Sequence, residues 1–252
     1  MANAAVLWRN LADAGAVTAS SSISAAPARR VIADPRTRIR WQSASGNASL
    51  VLDHGSSVTW DTAAVPGCIA STCRLRASDT DPTAVLGDLY DSGTEAVDGD
   101  FGMPVLALDA QITARYARFD FSHATLPYVA AGRLVTGLRT AYAYNFDYGW
   151  AHGFVDPSER SVTLGGQIYV SEREAFRWME VNFGWLTEAQ ARGVAAQIDR
   201  ENGLRKDVLF LRDPASDNLS RDAVWGLLSS LSGTVNPAID LYSKTYRIEE
   251  RL

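Results

Sequence analysis

Three histidines and several paired carboxylates are the residues of this chain best equipped for acid–base or metal chemistry. His54, His123 and His152 are each followed by Gly or Ala, and none has another histidine or a cysteine two, three or four positions on. Zinc needs three or four converging nitrogen or sulfur ligands, so these residues read as turn or satisfied structural histidines. The pairs Asp79/Asp81 and Asp98/Asp100 have the hard oxygen chemistry that calcium prefers, and two carboxylates at ~5–10 Å are all a glycosidase requires. Neither pair extends into a D-x-D-x-D-G loop with its terminal Glu, and solvated loop acids are the simpler reading. Tyr142, Tyr144, Phe146, Tyr148 and Trp150 occupy every second position of Y-A-Y-N-F-D-Y-G-W. In an extended chain that period puts all five rings on one face, which can serve as a core wall or domain junction, a protein interface or a sugar-stacking platform.

The nucleophile elbow G-x-S-x-G, the H-E-x-x-H metal helix, the phosphate loop G-x-x-x-x-G-K-[ST] and a G-x-G-x-x-G between strand and helix are all missing from the sequence. The expectation is a protein that is not an enzyme, with no catalytic residues, no metal ligands and no cofactor.

Composition narrows the partners. The chain has 252 residues, 46% hydrophobic and 21% charged, enough apolar material for a packed core in one large β domain or two modules. A net charge of -5 gives no general positive field for a nucleic-acid backbone, so no nucleic-acid partner is expected. Arg29, Arg30, Arg36, Arg38 and Arg40 crowd one stretch, which reads as a solvated loop and strand edge. No window approaches 18 uninterrupted apolar residues and the N-terminus lacks a signal-peptide pattern, so no membrane insertion and a cytosolic start are expected. Cys68 and Cys73 are then expected as reduced thiols.

The elements that must position any site are mainly β. Residues 12–28, rich in Ala and Ser, read as a loop wrapping a sandwich. From residue 39, short apolar runs alternate with turn residues at Ser49–Leu52, Thr72–Leu75, Arg115–Phe121 and Gly132–Leu138, the spacing of an antiparallel sandwich or jelly roll. In Ala114–Phe121, Tyr116 and Arg118 fall on one face and Phe119 and Phe121 on the other. Residues 78–102 carry seven acidic residues and read as surface loops, with a short strand near Val85–Leu89. Thr187 and Gln190 form a capping box ahead of Ala191, Val194, Ala195 and Ile198 at helical spacing, and Asn202-Gly203 supplies a left-handed stop, predicting a helix over 188–201. Strands are expected at Phe176–Phe183, Asp207–Leu211 and Tyr242–Glu249, with a turn at Asp213-Pro214. The fold class is therefore mainly β, a sandwich over 1–143 followed by a smaller α+β module over 144–252 with one helix on an antiparallel sheet.

The stretch R-W-Q-S-A-S-G-N-A-S-L-V-L-D-H-G (Arg40–Gly55) resembles the opening of discoidin-like, galactose-binding-type β-sandwiches. A-R-Y-A-R-F-D-F (Ala114–Phe121) and A-G-R-L-V-T-G (Ala131–Gly137) resemble the late strands of that fold. Followed by N-F-D-Y-G-W-A-H-G-F-V-D-P-S and F-R-W-M-E-V-N-F-G-W-L-T-E-A-Q-A, the order of parts resembles minor tail or distal-tail proteins of long-tailed bacteriophages. That resemblance implies a non-catalytic virion structural protein of a tail tip, assembled in the host cytoplasm. Its partners would be other tail proteins and copies of itself in a trimeric or hexameric ring, with Tyr142, Tyr144, Phe146, Tyr148 and Trp150 at the interface. The alternative is a carbohydrate-binding module contacting host surface glycan, stacking rings such as Tyr128, Tyr142 or Trp150 on pyranose faces.

Overall fold

The computed structural model describes residues 2–252 and is mainly β, with 45% of residues in strands and 10% in helix. The chain divides into two compact units. The first takes residues 2–142 together with Val208–Ala223 and Leu252, and the second takes Ala143–Asp207 and Val224–Arg251.

The first unit contains β1 (Ala5–Leu7), β2 (Ala16–Ala19), β3 (Trp41–Gln42), β4 (Asn47–Ala64), β5 (Thr72–Ser78), β6 (Tyr90–Asp91), β7 (Glu95–Ala96), β8 (Val105–Ser122), β9 (Ala130–Ala131), β10 (Val135–Gly137) and β11 (Thr140–Ala141). Its main sheet runs β10-β4-β8-β5-β6, with β2 also on β4 and β7 also on β5, and the pairs are antiparallel. The long β4 and β8 alternate as a half-buried pair must. Leu50, Leu52, Phe119 and Phe121 point to one side, joined there by Cys73, Leu75 and Ala77 of β5. Against that face lie Trp41 of β3, Ala131 of β9, Val31 of a single helical turn (Arg30–Ala33) and the flanking residues Val65, Val129 and Leu134, closing a sandwich core. Full burial of each such aliphatic or aromatic side chain contributes roughly 1.5–3 kcal/mol, so this layer is the main source of the unit's stability. Two glycines make the fit possible where the Thr37 carbonyl is wedged in: a Cβ on Gly67 or Gly132 would lie 2.4 or 2.2 Å from that oxygen.

The second unit contains β12 (Ala151–Val155), β13 (Glu159–Val162), β14 (Ile168–Ser171) and β15 (Phe176–Leu186). Thr187 accepts from the Gln190 amide and the Gln190 side chain accepts from the Thr187 amide, so the predicted capping box starts the helix of residues 188–201. The helix widens into a π turn over Ala191–Ala195, and it stops at Gly203, φ +51°, with the Asn202 and Gly203 amides both on the Ile198 carbonyl. Chain order then runs through β16 (Val208–Leu211), β17 (Ala223–Leu228), β18 (Val235–Ala238) and β19 (Leu241–Glu250). Within the second unit β19 pairs antiparallel with β15, β17 and β18, and β12 pairs with the far edge of β15. The strands β13 and β14 pair only with each other, as a ribbon.

Two expectations are corrected. Residues 12–28 are not simply a wrapping loop, because Ala16–Ala19 adds a strand to β4. The acidic region has its short strands at Tyr90–Asp91 and Glu95–Ala96 rather than at Val85–Leu89. Asp81 accepts from the amides of Thr83, Val85 and Leu86, which ties the start of that segment into a turn. Val208–Leu211 is a strand as expected, and it pairs antiparallel with Ala5–Leu7, a partner from the other end of the chain that local pattern cannot supply.

Candidate functional site

The aromatic run does not form the expected single face. Residues 142–150 are irregular, turning at Tyr148-Gly149 with Gly149 at φ +93°, so the period of two has no strand to act through. Tyr142 is buried, Tyr144 and Tyr148 are exposed, and Phe146 and Trp150 are half-buried. Asp147 holds the loop down, its amide donating to the Asn182 carbonyl and its carboxylate accepting from the Asn182 side chain at 2.7 Å. Phe146 then meets Phe183 edge-on at 6.2 Å, and Trp150 stacks on His152 at 5.2 Å.

The other sequence candidates are placed as follows. His123 Nδ1 accepts from the amides of Thr125 and Leu126 in a turn, and His54 is buried, its pKa lowered chiefly by loss of hydration. Asp79 accepts from Ser57 and from the Arg115 amide, and Arg221 donates to Asp98 at 2.9 Å. Cys68 and Cys73 are buried free thiols, and burial pushes Cys68 up to about 12, far from the nucleophilic thiolate. Arg40 of the basic stretch is half-buried and donates to the Gly67 carbonyl, while Arg36 pairs with its neighbour Asp34 at the surface.

What sequence reading missed lies on the outward face of the main sheet. The register of β4, β8 and β5 sets Asn47, Ser122 and Thr72 in one cross-strand row, Ser49, Asp120 and Arg74 in the next, and Val51, Arg118 and Arg76 in a third. Each row alternates with a core row, so the same period that buries Phe119 and Phe121 presents Arg118, Asp120 and Ser122 outward. Around the first two rows and the arginines of the third opens a groove of about 440 Å³, with Ser20 and Thr94 at its rim. That volume is in the range of small-ligand sites.

The charges of the groove are tied together. Arg76 and Arg118 stand directly opposite one another, a like-charge pairing that a sheet ordinarily avoids. Asp120 resolves it by accepting from both: Arg76 Nη2 at 2.6 Å on one carboxylate oxygen and Arg118 Nε at 2.8 Å on the other. The loop over residues 79–89 supplies two further anchors, the Val85 carbonyl for Arg76 Nη1 and the Thr83 carbonyl for Arg118 Nη1. Arg74 forks onto Asp91, and this ion pair holds the Asp91 carboxyl down to about 2. Thr72 and Ser122 share a hydrogen bond of 2.6 Å between their hydroxyls. A guanidinium has five N–H donors. Arg118 uses Nε and Nη1 and Arg74 uses Nε and Nη2, leaving Arg118 Nη2 and Arg74 Nη1 without a protein acceptor among the described residues.

A second hollow of the first unit, about 530 Å³, has Glu95, Asp98 and Asp217 as its only charged lining groups, so it lacks this alternation of cation and anion.

No protein-family model matches the sequence, and no curated protein does. Among solved structures, half of the chain is similar to a mutant of chitosan-binding module 1 from a chitosanase/glucanase of Paenibacillus sp. IK-5, at 24% identity over 52% of this chain and 98% of that one, with a TM-score of 0.44. Module 2 of the same enzyme, in complex with chitotriose, is similar at 17% identity over 51% of this chain and 99% of the other, TM-score 0.43. The family 32 carbohydrate-binding module of NanJ from C. perfringens, in complex with galactose, is similar at 12% identity over 53% of this chain and 98% of that chain, TM-score 0.42.

Proposed function

We propose that the first unit is a non-catalytic carbohydrate-binding module and that its ligand lies in the groove on the outward face of β4, β8 and β5. The observation that carries this reading is the platform itself. A sugar hydroxyl donates and accepts at once, so it is matched by a surface where donors and acceptors alternate at short range. Asn47, Ser49, Thr72 and Ser122 offer neutral groups of both kinds beside the charge-locked Arg74, Arg76, Arg118 and Asp120. The groove, not likeness of fold, supports the reading, because one fold hosts many ligands. It also replaces ring stacking as the binding element, since none of Tyr128, Tyr142, Tyr144, Phe146, Tyr148 and Trp150 lines it. A glycan array probed with the full chain tests this. Binding that is lost in Asp120→Asn and Ser122→Ala, with their folds checked by circular dichroism, is the expected result; an array without signal sinks it.

A second reading, a structural subunit of a tail tip that meets copies of itself or other tail proteins, is favoured by one observation in the second unit. The β13–β14 ribbon exposes Val162, Leu164, Ile168, Tyr169 and Val170 to solvent, a density of apolar side chains that usually marks a contact surface. Light scattering over a concentration series tests it: a discrete trimer or hexamer supports assembly, and a monomer at every concentration counts against it.

A further inference from the structure

The glycan reading leaves open which sugars the groove prefers, and its charge answers that. Resting on that reading, we infer that the ligand is an anionic sugar, a ring bearing a carboxylate or sulfate, whose charged group is seated on Arg118 and Arg74. Three guanidiniums stand here against two carboxylates, Asp91 and Asp120. Opposed Arg76 and Arg118 gain nothing for a sheet that only has to be soluble, and Asp120 can neutralise one of them but not both. The anchors are asymmetric. Asp120 and the loop carbonyls engage all three nitrogens of Arg76 but only Nε and Nη1 of Arg118, fixing the planes of the two forks before any ligand arrives. Arg118 Nη2 and Arg74 Nη1 have no protein acceptor among the described residues. A neutral sugar hydroxyl would accept there from a cation; an oxyanion would accept from the same groups and add the attraction between two opposite charges, in the fork geometry that arginine offers to carboxylate and sulfate. Because the whole chain carries -5, any attraction for an anion comes from this local cluster and not from the overall field.

The test uses the full chain and three probes in calorimetric titration or affinity electrophoresis: oligogalacturonate, its methyl ester and dextran sulfate. Methyl esterification removes the charge and keeps the sugar, so it needs no variant that might misfold. Oligogalacturonate is expected to bind at least tenfold more tightly than its ester, to weaken as salt is added, and to lose at least tenfold in Arg118→Gln with partial recovery in Arg118→Lys. Dextran sulfate separates the two oxyanions: tighter binding of the sulfate assigns the cluster to sulfated glycans, tighter binding of the uronate assigns it to the planar carboxylate that an arginine fork fits. Equal affinity for the acid and its ester overturns the anionic preference while leaving a sugar-binding groove in place, provided Asp120→Asn still abolishes binding. If none of these probes and no neutral glycan on the array binds, the carbohydrate reading itself has failed.

Discussion

The β4–β8 pair and the β13–β14 ribbon are both antiparallel ladders that carry alternating apolar residues, Leu50 and Leu52 on β4 and Ile168 and Val170 on β14, yet they end in opposite circumstances. On β4 and β8 the apolar rows Leu50/Phe119 and Ala48/Phe121 are covered by a second layer and the polar rows form the floor of a groove. On the ribbon, Val162 faces Ile168 and Arg160 faces Val170 across the ladder, so three of the four side chains on that face are apolar, but every residue of both strands is exposed. A period of two therefore tells which residues share a face; whether that face is buried depends on a covering layer that the period does not encode. Two strands alone are marginal in water, which makes the ribbon the less self-sufficient of the two.

The largest test of this contrast is in the covered face. Phe119→Ala removes a fully buried ring from the middle of the sandwich and is expected to cost roughly 3–5 kcal/mol, read as a lower urea midpoint at unchanged slope. A loss under 1 kcal/mol would mean that the second layer does not pack as described. Next comes the groove floor. Asp120→Asn leaves Arg76 and Arg118 facing each other with no negative charge between them and one of their two acceptor oxygens replaced by a donor, and should cost about 1–3 kcal/mol, whereas Arg118→Gln removes one cation and should cost less. If Arg118→Gln is the more damaging of the two, the like-charge argument for the site is wrong.

A smaller effect is expected at the edge, where Arg74 meets Asp91 with both side chains about a third exposed. The fork lowers the folded pKa of Asp91 to about 2, from an ordinary value of 3.8. The stabilisation is therefore present above the ordinary value and is lost as pH falls from there through about 2. Wild type should exceed Asp91→Asn in stability at neutral pH, and the difference should shrink below about pH 4 and vanish only below about pH 2. A difference that does not change with pH would show that the carboxylate charge is irrelevant there.

How much of this was legible in the sequence follows the same line. The helix was fully readable, because Thr187, Gln190 and Asn202-Gly203 are local signals that the backbone uses locally. The inward faces of β4, β5 and β8 were readable from alternation. The groove was not, since its floor joins residues 47–49, 72–76 and 118–122, and only the pairing register brings them into rows. Its trace in the sequence is the outward half of the alternation, Arg74-x-Arg76 and Arg118-x-Asp120, a weaker local signal than the denser run of arginines at 29–40. The aromatic run failed for the converse reason. Its period was real, but Asp147 and Gly149 turn the chain, and a tether to Asn182, 35 residues away, is not a local signal.

The smallest predicted effect falls on the ribbon, and it is the one that separates the two ladders most sharply. Val162 and Ile168 are 66% and 55% exposed, so replacing either with Ser removes little apolar area from any packed surface. In the isolated chain, Val162→Ser and Ile168→Ser should each leave the urea midpoint within about 0.5 kcal/mol of wild type, as surface substitutions do. The same two changes on the inward side of β4 would be among the most costly in the molecule. A loss above about 1 kcal/mol from either ribbon variant would show that its apolar face is covered in solution, by another copy of the chain if the loss grows with protein concentration. The ribbon would then have the second layer that β4 and β8 have, supplied from outside the chain, and the assembly reading would gain what the carbohydrate reading does not need.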